Sequence, residues 1–352
     1  MPEEGSGPGR GFDSLAPALS SWPAVRTLPA CLLLVLALTT PAVQAAPPSV
    51  QKRQERRTET RALVREVLAG RLSVPTSVSR LRILREEAFA AGLIVEELPH
   101  VLEPRRLRDV TAVLAGLETR TAEPALVGLA GHEDSAVRMY AVQGLGKVRS
   151  RRVDVMLPLL EDKSLGARRE AARALGATGN PQVGKALLAA ARAESDPQTR
   201  VMMLEAVGAS GDKKQAPGLK AFLDDSSEST RFAAARGLCL LGVPEGFAFA
   251  RKLLSSEDKH VRRQGLALYE GVSVKQSSAV LRPLLEDKDR TLAAGAARVL
   301  YQGGDKTMMS WLVLASWNAK GEEKLTYEKE LETLQLADDE RKVLLRKAGV
   351  VK

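Results

Sequence analysis

From residue 105 onward, apolar residues fall at helical spacing and polar residues gather at regular breaks between them. One phrase recurs: Asp134, Arg138, Ala141, Leu145, Gly146. It returns as Arg168, Ala171, Leu175 and Gly176, then as Arg200, Met203, Val207 and Gly208. Looser copies are Arg231, Ala234 and Leu238, then Arg262, Gly265 and Tyr269. In a sixth copy Ala293 takes the Arg slot ahead of Ala296 and Leu300. The slots stand at 138, 168, 200, 231, 262 and 293, a period of 30–32 residues. A fixed period of that size predicts stacked two-helix units rather than one globular core. The first helix of a unit ends in an apolar pair, as at Leu159-Leu160, Phe222-Leu223, Leu253-Leu254 and Leu284-Leu285. A polar turn follows, and the second helix carries the phrase. Asp134, Asp196, Asp258 and Asp289 each precede their slot by four residues, and Ser164 does so in another copy. Their side-chain oxygens predict helix N-caps, each worth about 0.5–2 kcal/mol. The later Leu-Gly, or Gly179-Asn180-Pro181, reads as the stop.

Outside the array the pattern weakens. Residues 46–58, with Pro47-Pro48 and then Lys52, Arg53, Arg56 and Arg57, read as a flexible basic lead-in. Helices are expected from Glu59 to Ala69 and from Val78 to Ala91, with Pro75 barring a helix through the stretch between them. Arg108, Thr111, Ala115 and Gly116 mark a degenerate first repeat. After Ser316, a polar linker at Lys320–Glu323 leads to charged helices that close the last apolar face. The expected divisions are a leader over 1–45, the lead-in over 46–58, an N-terminal cap over 59–104, the array over 105–316, and a C-terminal linker and cap over 317–352.

The leader rests on the apolar run Leu28–Leu38, preceded by Arg26 and followed by Val43-Gln44-Ala45. That is the pattern of a signal peptide cut after Ala45. The run is too short to predict a membrane-spanning helix, which takes about 20 apolar residues. An uncleaved anchor is the alternative. Residues 1–24 are read as an over-called start, with translation opening at Val25. The expected location is therefore the periplasm or the cell exterior.

Composition sharpens this in three ways. Aromatic residues make up only 4% of the 352, which suits small-residue helix packing better than an aromatic-lined pocket. Lys and Arg number 52 against 43 Asp and Glu, so an acidic protein or peptide partner is expected. Positive charge is interleaved with acid and lacks stacking aromatics, which speaks against nucleic acid. Beyond the leader Cys239 stands alone, so no internal disulfide is expected, and a monomer is the expected state.

The phrase Asp-x-x-x-Arg-x-x-Ala-x-x-x-Leu-Gly resembles the HEAT repeat, in the short form named for phycobilisome lyases, over about residues 105–316. The resemblance implies an all-α, right-handed α-solenoid of the HEAT/armadillo-like kind. About six or seven two-helix repeats, with helical caps at both ends, would place the Arg-bearing helices along the concave side. Members of this kind are mostly interaction scaffolds. Bilin lyases and deoxyhypusine hydroxylase are the enzymes among them. The hydroxylase holds iron through His-Glu pairs just after the repeat Arg. Here those slots hold Arg169-Glu170, Val201-Met202, Phe232-Ala233 and Arg263-Gln264, and His132-Glu133 lies in a turn instead. No catalytic residue, metal ligand or cofactor is therefore assigned. The chain reads as a non-enzymatic, exported scaffold binding a protein or peptide. The alternative is a lyase-like or hydroxylase-like repeat enzyme without the metal site.

Two residue sets carry that reading. A structural ladder is expected from Asp134, Arg138, Arg168, Asp196, Arg200, Arg231, Asp258 and Arg262, each Arg bridging to an acid or to carbonyls. Arg200→Ala is expected to cost about 3–5 kcal/mol by stranding a buried acid. A partner-binding row is expected one and five residues after the Arg slot, where side chains share a second face. It comprises Met139, Gln143, Arg169, Arg173, Phe232, Arg236, Arg263 and Arg298.

Overall fold

In the computed structural model, residues 48–351 are described. The chain divides into two units, 1–51 and 52–352. Of the first, only the opening turn of one helix, Pro48–Gln51, is described, and the repeat array belongs to the second. The leader, its cleavage point at Ala45 and the start at Val25 lie outside the described residues.

Among the described residues the fold is helical throughout, with 19 α-helices, six 3₁₀ helices and no strand. In chain order the first helices are α1 (Pro48–Leu68), α2 (Val74–Ile83), α3 (Glu87–Glu97), α4 (Pro104–Leu117), α5 (Glu123–Leu129) and α6 (Ser135–Lys147). Next come α7 (Val153–Met156), α8 (Leu165–Ala177), α9 (Gly184–Ala193), α10 (Pro197–Ala209), α11 (Ala216–Lys220) and α12 (Glu228–Leu240). The rest are α13 (Pro244–Leu254), α14 (Lys259–Ala267), α15 (Val274–Leu281), α16 (Arg290–Gln302), α17 (Thr307–Asn318), α18 (Gly321–Thr333) and α19 (Asp338–Lys347). From α3 to α17 each odd-numbered helix packs on the even-numbered helix that follows it. From α2 to α12 each even helix also lies directly against the next, so the array is an all-α repeat stack.

The caps form as the sequence predicts at most starts. Asp134, Asp196, Asp258 and Asp289 accept backbone N–H groups of α6, α10, α14 and α16. Ser227 does the same for α12. Ser164 holds the N-cap position of α8, but its hydroxyl makes no cap bond. Asp162 instead accepts the Ser164 N–H at 2.7 Å.

The glycine of the phrase does something other than stop a helix. Gly176 and Gly208 lie inside α8 and α10, at contacts between neighbouring even helices. A Cβ on Gly208 would sit 2.4 Å from the Gly237 Cα, so only glycine permits that approach. The stop comes three residues later, where Gly179 and Gly211 adopt left-handed φ values of 60° and 78°.

Four further expectations change at the ends. The lead-in 46–58 is not flexible where it is described, because α1 begins at Pro48. Its charged residues are good helix formers, and Arg53 and Arg57 reach Glu86 at 3.6 and 3.5 Å. Arg57 and Arg61 also lie over the Phe89 ring, at 4.6 and 5.0 Å. Pro75 starts α2 instead of barring it, since the first turn needs no N–H from proline. The expected helix Val78–Ala91 breaks at Arg85, whose φ is 53°. At the other end Gly321 opens α18, so the expected linker is mostly helix. The pairing thus continues to the C-terminal side, giving eight α-hairpin units from α3 to α18, with α19 packed on α17.

The core forms two hydrophobic clusters, one from Leu63 to Leu241 and one from Ala235 to Leu345. They meet at α12, where Leu238 belongs to the first and Cys239 to the second.

Candidate functional site

The slot arginines turn inward to the turn before their own helix and forward to the next repeat. Arg138 donates to both Asp162 carboxylate oxygens at 2.7 and 2.8 Å, and to the carbonyls of His132 and Glu133 at 2.8 and 2.7 Å. Arg168 donates to Glu194 at 2.7 and 3.1 Å and to the Asp162 carbonyl at 2.8 Å. Arg262 donates to Asp287 at 2.8 Å. Hydrogen bonding from Arg138 holds the Asp162 carboxyl below its usual range. Burial pushes Glu194 the other way, but Arg168 and backbone N–H groups win and lower it.

Arg200 and Arg231 differ. Arg200 donates only to the Glu194 carbonyl, at 3.1 and 2.7 Å, and Arg231 only to the carbonyls of Asp225 and Ser226, at 2.8 and 3.0 Å. No carboxylate meets either among the described residues. The expected cost of Arg200→Ala therefore falls to about 1–2 kcal/mol, that of hydrogen bonds to carbonyls. Arg168 is the residue whose loss strands a buried acid, because the Glu194 side chain is only 3% exposed.

The row expected to bind a partner is also engaged internally. Arg169 reaches Asp196 and Thr199, both at 2.9 Å, and Arg263 reaches Asp289 at 2.9 Å. Each uses the N-cap aspartate of the next even helix. Arg173 pairs with Glu170. Arg236 donates to the Ala267 carbonyl at 2.8 Å and faces Glu205 at 3.7 Å. Arg298 bridges Glu270 at 2.9 Å and Glu330 at 2.7 Å. Met139 packs over Gly166, and Phe232 is half-buried against the second core cluster. Gln143 alone of the eight lines the cleft of about 890 Å³ over α2, α4 and α6. Arginines of the row are thus paired within the chain, most of them across to a neighbouring repeat.

The open space on the even-helix face lies beside these residues. A cleft of about 890 Å³ crosses α2, α4 and α6, lined by Val74, Val78, Ile83, Gly116, Tyr140 and Gln143 among others. Its polar members are Arg82, Arg85, Glu118 and Lys147. A smaller groove of about 250 Å³ crosses α8, α10 and α12, between Arg173, Met202, Glu205 and Arg236. Desolvation there pushes the Glu205 carboxyl above its usual range, and Arg236 offsets part of the shift. Sequence reasoning missed Ile83, Arg82, Arg85, Glu118, Tyr140 and Lys147. One trace of them was available: Arg85, Glu118 and Arg149 end α2, α4 and α6 where the even helices from α8 to α16 end in glycine.

The reactive groups stand apart from these clefts. Burial pushes the Cys239 thiol up to about 12, so it stays protonated. Among the described residues no group of three or more His, Cys, Asp or Glu could hold a metal ion. No described helix is long and apolar enough to cross a membrane.

A family model for HEAT repeats matches residues 123–207, 153–230, 184–269 and 216–300, together half of the chain. The phycocyanobilin lyase subunit beta of Thermosynechococcus vestitus is 32% identical over 102 residues, covering 29% of this chain and 48% of that protein. The bilin biosynthesis protein PecE of a Nostoc species is 33% identical over 137 residues, covering 35% and 54%. PecE of Mastigocladus laminosus is 31% identical over 142 residues, covering 38% and 52%. The chain thus spans about half the length of the curated relatives it matches. Among solved structures, the CpcE–CpcF complex of phycocyanin lyase from Nostoc is similar at 18% identity, with a TM-score of 0.47 over 69% of this chain and 94% of that one. These relatives correct one expectation. A chain read as non-enzymatic is similar in sequence to a lyase subunit and to bilin biosynthesis proteins, and the enzyme alternative fits them better.

Proposed function

We infer the function from one premise: this chain belongs to the HEAT-repeat family. It works as the partner-holding subunit of a lyase-type assembly. The even-helix face receives a protein, and the lyase chemistry is completed on that protein. The observation that carries this reading is the position of the clefts. The 890 Å³ cleft and the 250 Å³ groove both open on the even helices, along the face that the repeat keeps in register. The names of the relatives supply the lyase class. The arginines one and five residues after the repeat slot are paired within the chain and fix the shape of that face, so recognition falls to the clefts beside them.

Site-specific photo-crosslinking tests this. A crosslinking residue at Met202, on the groove wall, is expected to give one defined protein adduct in extract of the native cells. The same residue at Lys185, exposed on α9, is expected to give none. Co-expression with the wild-type chain should then shift the captured partner's intact mass by a covalently added or removed group. Equal adducts from both positions would overturn the face, and an unchanged partner mass would overturn the lyase assignment. Export is part of the same proposal. Intact mass of protein purified from its own cells should place the N-terminus at Ala46, and peptides from residues 1–45 in mature protein would refute it.

A further inference from the structure

Every even-numbered helix ends on one left-handed residue. After α8, α10, α12, α14 and α16 it is Gly179, Gly211, Gly242, Gly271 and Gly304. After α2, α4 and α6 it is Arg85, Glu118 and Arg149, with φ of 53°, 53° and 50°, and after α18 it is Gln335, with φ of 56°. A residue with a Cβ is strained in this region and glycine is not. The first three even helices therefore carry a conformational cost that the next five avoid. Strain of this kind gathers at functional sites.

Of these four strained positions, two lie on one cleft and a third follows the helix that forms its far wall. Arg85 and Glu118 line the 890 Å³ cleft, and Arg149 stands two residues beyond Lys147, which lines it too. Glu118 is fully employed, receiving Arg82 at 2.6 Å and Lys147 at 3.4 Å. Arg82 also donates to the Gly116 carbonyl at 2.7 Å, which fixes it against α4. Arg85 and Arg149 have no side-chain partner among the described residues and are exposed. The cleft thus has one neutralised carboxylate, two cations spent on it, and one free guanidinium on its wall, Arg85, with Arg149 two residues past Lys147 in the chain. Beside Arg85, Ile83 is 75% exposed, an apolar side chain with nothing over it.

We propose that the cleft over α2, α4 and α6 binds an extended acidic segment of a protein partner. An apolar side chain of that segment covers Ile83, and its carboxylates pair with Arg85 and Arg149. Guanidinium matches a carboxylate through two parallel hydrogen bonds, and unpaired arginines are suited to it. Three packed helices span ~20 Å at 8–10 Å between axes, the length of about six extended residues. The inference rests on the reading that the even-helix face is the binding face, and it names what one part of that face takes.

The test uses the full chain and a fluorescein-labelled peptide of three Asp-Leu repeats, read by anisotropy. Saturable binding is expected. A peptide of three Lys-Leu repeats should not bind, and one of three Asp-Ser repeats should bind ~10-fold more weakly for lack of an apolar anchor. The variant Arg85→Gly with Arg149→Gly should weaken Asp-Leu binding by ~10-fold or more while raising the melting temperature by about 2 °C as strain is relieved. A purely structural role for these arginines would lower the melting temperature and leave binding unchanged, and that result overturns the proposal. Ile83→Ser should weaken Asp-Leu binding and leave Asp-Ser binding as it was. Equal binding of the acidic and basic peptides would also overturn it. If the Met202 crosslink forms but no peptide binds, this inference falls and the proposed function stands. If the crosslink fails as well, both fall.

Discussion

The even helices carry the same backbone device at α2, α4 and α6 as at α8 to α16, but not the same residues. Close glycine contacts seal neighbouring helices in both groups, as at Gly144–Ala115 and at Gly208–Gly237. In the later group a left-handed glycine also ends the helix without strain. In the first group the same turn is made by Arg85, Glu118 and Arg149, and the helices stand beside an 890 Å³ cleft. The later units end their even helices at no conformational cost. The first three even helices keep charged side chains at positions where glycine would be more stable. What differs between them marks where the chain is used rather than merely folded.

That comparison can be sharpened from its most to its least costly elements. Arg168→Ala should destabilise the chain by about 3 kcal/mol, because it leaves the buried Glu194 carboxylate unpaired. Arg200→Ala should cost about half as much, since only a carbonyl loses its donor. Denaturant unfolding of the two variants measures the gap, and equal losses would remove the distinction between acid-paired and carbonyl-paired rungs. Gly208→Ala should cost about 1–3 kcal/mol, because its Cβ would collide with Gly237 backbone. The matching change at an open position, Gly179→Ala, meets no atom within 4 Å and should cost only the left-handed strain of about 1 kcal/mol.

Acid should weaken the ladder in a predictable direction. Asp162 and Glu194 have folded pKa values below their ordinary ones, so their contribution is complete above about pH 4. It is lost as pH falls through the lowered folded values. In Arg168→Ala the Glu194 share should vanish, leaving a shallower loss of stability below pH ~4 in acid titrations followed by circular dichroism. An unchanged acid limb would place the stabilising acids elsewhere.

The period, the caps and the helix pairing were legible because each is local and repeated. Asp134, Asp196, Asp258 and Asp289 recur at one offset, and a cap needs only neighbouring residues. The role of the phrase glycine was misread for the same reason: near a helix end, a stop and a contact look alike in sequence. The pairing of the Arg row was not legible because most of its partners lie a whole repeat away. Arg169 meets Asp196 and Arg263 meets Asp289 only when units stack. Helix α1 was misread because its charge resembled a linker, while its anchors Glu86 and Phe89 lie beyond the next helix. The cleft depends on how α2, α4 and α6 pack, yet the replacement of glycine by Arg85, Glu118 and Arg149 was visible along the chain.

The central claim is that these residues are kept at the ends of the first even helices for binding and against stability. Thermal unfolding of Arg85→Gly with Arg149→Gly, beside wild type, tests it most directly. The account predicts a melting temperature about 2 °C higher. A lower melting temperature would show that the arginines hold the fold together, and would contradict it.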